Sequence, residues 1–136
     1  MSSFTSAPVK KVLILRDIQT DAQFHAMTRQ IDAMYANQTP FWMLIETQHV
    51  RDIKPKYLYQ FGKYLNSLKD ITPQLLQYSQ IHVYNDIIFN ILYTLFIFIA
   101  RPVAKVTVIY YDGGYTPTNI PIGQRNIKKI KEYFPR

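Results

Sequence analysis

Phe41-Trp42-Met43-Leu44-Ile45 is an unbroken apolar run set between Thr39-Pro40 and Glu46-Thr47. It is too short for an ordinary helix and lacks the polar alternation of a strand wetted on one face. It reads as a strand of a parallel sheet with helices on both faces.

Working back from it, Val9 to Arg16 (with Val12, Leu13, Ile14 and Leu15) is a second short apolar run and is expected to be a buried strand. Between the two, Thr20 or Asp21 can cap a helix in which Phe24, Met27, Ile31 and Met34 recur at spacings of three and four. Asn37-Gln38-Thr39-Pro40 ends that helix.

Working forward, Glu46 to Asp52 forms a polar turn. A helix from Lys54 or Pro55 to about Lys69 then buries Leu58, Phe61, Leu65 and Leu68. Thr72-Pro73 starts a short extra turn through Leu75 and Leu76, and Gln80 to Tyr84 reads as a third strand. Asn85-Asp86 caps an apolar helix from Ile87 to Ala100, and Val103 to Tyr111 is the fourth strand, closed by Asp112-Gly113-Gly114. After a Pro-rich connector, Gln124 to Phe134 reads as an amphipathic basic helix: Ile127, Ile130 and Phe134 dock it, while Lys128, Lys129 and Lys131 face water.

The order β-α-β-α-β-α-β-α predicts one small α/β domain over residues 9–136, behind a flexible lead of residues 1–8, with a four-stranded, mainly parallel sheet. The composition agrees: 136 residues, 48% hydrophobic and 18% charged, are globular values. Residues 1–8 have neither the basic start nor the apolar run of a signal peptide, which favours an intracellular setting. The apolar helix from Ile87 to Ala100, at ~1.5 Å per residue, reaches ~21 Å against a ~30 Å hydrocarbon core. It is expected to be buried on the sheet and not to span a membrane.

Chemistry is sparse. The absence of Cys excludes disulfides, thiolate metal sites and cysteine nucleophiles. His25, His49 and His82 show no metal-ligand spacing, and Asp112-Gly113-Gly114 lacks the endings of a phosphate loop, so no metal or cofactor is expected. Glu46 and Asp52 are the one carboxylate pair near a strand's C-terminal end, and no nucleophile elbow accompanies them. The chain reads as a non-enzyme.

The strand ending in an acidic residue, followed by a turn and a helix (Phe41-Trp42-Met43-Leu44-Ile45-Glu46-Thr47-Gln48-His49-Val50-Arg51-Asp52-Ile53), resembles the STAS domains of anti-sigma-factor antagonists. The strand-helix-strand segment from Ile81-His82-Val83-Tyr84-Asn85-Asp86 to Lys105-Val106-Thr107-Val108-Ile109 is similar to the CRAL-TRIO lipid-binding fold. The first resemblance implies a regulatory, non-catalytic binding domain. The turn where STAS antagonists carry a phosphorylatable hydroxyl holds Lys54-Pro55-Lys56, so no phosphorylation switch is expected there.

A formal net charge of +7, concentrated in Arg125, Lys128, Lys129, Lys131 and Arg136, points to anionic partners. The expected partner is a protein with an acidic surface, met by Arg125, Lys128, Lys129 and Lys131 and by Lys54, Lys56, Tyr57 and Tyr59 of the second helix. Peripheral contact with an anionic membrane or lipid headgroup is an alternative, and so is a structural role in a larger assembly such as a viral capsid or virion. Nucleic acid ranks below these, since no RNA-binding aromatic signature accompanies the lysines.

Overall fold

In the computed structural model, residues 7–112 and 126–135 are described. The elements are β1 (Val9–Arg16), α1 (Asp21–Tyr35), β2 (Phe41–His49), α2 (Pro55–Ser67), β3 (Leu76–Val83), α3 (Asp86–Thr94), β4 (Val106–Tyr111) and β5 (Ile127–Tyr133). The chain is α/β, as its sequence predicts, but the sheet has five strands in the order β1-β2-β3-β4-β5. The first four are parallel and β5 runs antiparallel to β4.

The helix starts follow local chemistry. Thr20 and Gln23 form a reciprocal capping box on α1: the Gln23 backbone N–H donates to Thr20 Oγ1, and the Thr20 N–H donates to Gln23 Oε1, both at 3.2 Å. Pro55 occupies the first turn of α2, where its missing N–H costs nothing. Asn85 caps α3 by accepting from the Ile88 N–H at 2.9 Å.

Because each parallel strand lies beside the next one in the chain, right-handed crossovers put every connecting helix on the same face of the sheet. The burial pattern agrees. Leu13, Ile45, Ile81 and Val108 stand in one row across β1 to β4, all buried among side chains of α1, α2 and α3. The neighbouring row, Val12, Leu44, Gln80 and Thr107, faces the other way, and Val12 and Ile14 at the β1 edge are about half exposed. Among the described residues no helix lies on that second face. The apolar run of β2 is therefore not a strand between two helical layers: Trp42, Leu44 and Glu46 are only partly buried.

Five elements differ from expectation. β2 runs on to His49, through the first half of the polar turn expected from Glu46 to Asp52. Leu75 and Leu76 are not an extra turn; β3 already begins at Leu76, and the Phe41 N–H donates to the Leu75 carbonyl at 2.9 Å. β4 starts at Val106, not at Val103. The helix from Ile87 to Ala100 is α3 followed by a π turn, Leu95–Ile99, and while Leu95 is fully buried, Ile87, Tyr93 and Phe98 face solvent. The last element is a strand and not a basic helix, which adds the fifth strand. Residues 1–6, the Gly113-Gly114 turn and the connector lie outside the described residues.

The π turn is held by α2. Asn66 Nδ2 donates to the Ile99 carbonyl at 3.2 Å, and its Oδ1 accepts from the Arg101 N–H at 2.8 Å. Gly62 lets the two segments touch: a Cβ there would overlap Cγ2 of Ile99.

Candidate interaction surface

Six of the seven residues of β5 are exposed, and Tyr133 alone is buried. The pairing to β4 runs Val106 with Tyr133, Thr107 with Glu132, Val108 with Lys131, Ile109 with Ile130 and Tyr110 with Lys129; it then skips a residue, so that Tyr111 meets Ile127. Lys128 is the extra residue of this β-bulge. Without it, successive side chains would alternate faces, and Lys128 would point away from Lys129.

The bulge instead gathers three ammonium groups over the aromatic rings of the helix side. Lys128 Nζ lies 4.9 Å from the ring centroid of Tyr110, Lys129 Nζ 4.7 Å from Phe89 of α3, and Lys131 Nζ 5.8 Å from Tyr133. Each is within cation–π range. The rings are anchored in turn: Tyr110 packs on Phe89 and donates its hydroxyl to Asp86 at 2.8 Å, and Tyr133 packs on Phe96. Burial, aided at Tyr110 by the bond to Asp86, pushes the Tyr110 and Tyr133 phenols up to about 12.

The opposite face of β5 carries Ile127, Ile130 and Glu132. Ile127 and Ile130 share it with Tyr111 and Ile109, and both isoleucines and Phe134 are more than half exposed. The three residues expected to dock a helix are thus the ones left in water. Glu132 is drawn to Lys105 at 3.0 Å, which leaves the three lysines without a carboxylate ion-pair partner among the described residues.

The second group of expected contact residues is elsewhere, on the β2–β3 crossover. Lys54 and Tyr59 are exposed, with Lys63 Nζ 4.9 Å from the Tyr59 ring, and Lys56 pairs with Asp21 at 3.3 Å. Tyr57 is a correction: it is 5% exposed, stacks on Phe24 and donates to Asp21 at 3.0 Å, so it ties α1 to α2 and offers no contact surface. That hydroxyl, followed by Lys56, holds the Asp21 carboxyl below its usual range. Arg125 lies outside the described residues.

Glu46 and Asp52 are not brought together. Asp52 accepts from the next backbone N–H, Ile53, at 2.8 Å, whereas Glu46 faces His82 across the β2–β3 pairing, Oε2 to Nδ1, at 3.5 Å. Sequence reading missed that pair, whose signal appears only once the register is known. A crevice of about 490 Å³ opens at the C-terminal ends of β1 to β3, lined by Asp17, Gln48, His49, Arg51, Asn85 and Ile87. Among the described residues no group of three His, Asp or Glu is placed to hold a metal, and no helix is long and apolar enough to cross a membrane.

Comparison of the chain with protein-family models, with curated proteins and with solved structures gives no match.

Proposed function

We propose that this chain is a non-enzymatic protein-interaction domain, of use as a component of a larger assembly, whose contact surface for an acidic partner is the lysine face of β5. The STAS-like segment from Phe41 to Ile53 is in keeping with such a role. The observation that carries the reading is the bulge at Lys128, which sets three ammonium groups on one face of an edge strand.

Two features favour a protein over the alternatives. Stacking nucleobases needs open ring faces, and Tyr110 and Tyr133 beneath the lysines are each 5% exposed. A membrane-surface element lays an uninterrupted apolar face into the lipid beneath its basic face, whereas the face of β5 opposite the lysines carries the Glu132 carboxylate beside the isoleucines.

The test is Lys128→Gln, Lys129→Gln and Lys131→Gln made together. Exposed charges contribute little to stability, so the melting temperature should barely move. Binding to a polyglutamate probe should weaken by roughly 10-fold or more, with a flatter salt dependence. Unchanged polyglutamate binding overturns the reading, and so does preferential binding of the unmodified chain to anionic vesicles or random oligonucleotides.

A further inference from the structure

We infer that the acidic partner engages β5 as an added strand, its backbone pairing with the outer edge of β5 and its side chains alternating between acidic and apolar. This rests on the lysine face being the contact surface and specifies how that surface is read.

Three observations converge on it. β5 pairs with β4 and, among the described residues, with no other strand, so no described strand occupies its second backbone edge. Edge strands with open N–H and C=O groups are templates for strand addition. Second, β5 is exposed on both faces and differs between them: Lys129 and Lys131 flank the helix side, while Ile127, Ile130 and Glu132, the last held by Lys105, lie opposite. An incoming strand has the same two-residue alternation. Carboxylates at every second position meet the lysines, and β-branched residues between them extend the isoleucine face.

Third, the charges exclude a second copy as the occupant. Pairing β5 with another β5 sets lysines beside lysines, and like charges on adjacent strands repel. The sheet's other edge is no better, since β1 carries Lys10 over Trp42 on one face and Lys11 over Phe41 on the other. Lysine on an edge strand is a common guard against self-association. Here it guards both edges against basic or identical strands and leaves β5 open to an acidic one.

The experiment compares three probes of equal charge and length on the full chain: an alternating Glu-Val peptide, the same peptide N-methylated at alternate backbone amides, and a peptide with its Glu and Val residues in separate blocks. The alternating peptide is expected to bind best and to slow hydrogen exchange of the outward-facing β5 amides. N-methylation removes about three backbone bonds and should lower affinity by roughly 100-fold. Equal binding of all three peptides, each abolished by the triple Lys→Gln variant, overturns strand addition and leaves the lysine face standing. Failure of all three peptides and of polyglutamate to bind overturns both. Concentration-dependent dimers of the free chain overturn the exclusion of a second copy.

Discussion

Gly62 is a single hydrogen atom wide where α2 meets the π turn after α3. In an open helix interior, Gly→Ala is stabilising by roughly 1 kcal/mol. At this position the added methyl meets Ile99 Cγ2, an atom of a β-branched side chain with little freedom to move. Gly62→Ala should therefore destabilise the fold by about 1–3 kcal/mol in denaturant unfolding. Ile99→Ala in the same chain should restore part of the loss, a coupling that a double-mutant cycle measures; additive effects would mean that the two residues do not meet.

Among the elements, those with strong local signals were legible in the sequence. Thr20 and Asn85 announced the starts of α1 and α3, and the stripe of Phe24, Met27, Ile31 and Met34 is the buried side of α1. β5 was not legible, for a physical reason. Ile127 and Ile130 are three residues apart, the spacing of one helical face, and a regular strand would point them in opposite directions. The bulge restores them to one face, so a strand acquires a helix-like period. The lysines of the candidate surface were recognisable as a basic cluster, but their shared face depends on a register that no local pattern encodes. Deleting Lys128 should remove the bulge and leave β5 regular. Lys129 and Lys131 would keep the helix side and Ile127 and Ile130 the other, so polyglutamate binding should fall about as far as in Lys128→Gln; a clearly larger loss would show that the bulge contributes more than the one charge it adds.

Over the whole molecule, buried phenols set the alkaline limit of stability. Tyr35, Tyr110 and Tyr133 are each pushed up to about 12, chiefly by burial, and Tyr64 is raised further by burial and its bond to Asp32. A phenol in the unfolded chain titrates near 10. The folded state therefore holds these protons more tightly, and the stability they contribute is complete below about pH 10 and lost as the pH climbs toward 12. In the folded chain, the tyrosinate absorbance of Tyr35, Tyr110 and Tyr133 should appear only as the pH climbs toward 12. A single transition of all 11 Tyr near pH 10 would contradict this.

The strand order also has a mechanical meaning. β1 and β5 are the two outermost strands, four inter-strand spacings of about 4.8 Å, or roughly 19 Å, apart. Tension applied through residues 7 and 135 acts on the two rims of the sheet and on neither of its central strands. Among the described residues each rim strand has a neighbour on one side only, so a pulled chain yields from its margins inward. The strand bearing the lysines is among the first to detach, and a partner strand laid along it would raise the force needed to peel that side.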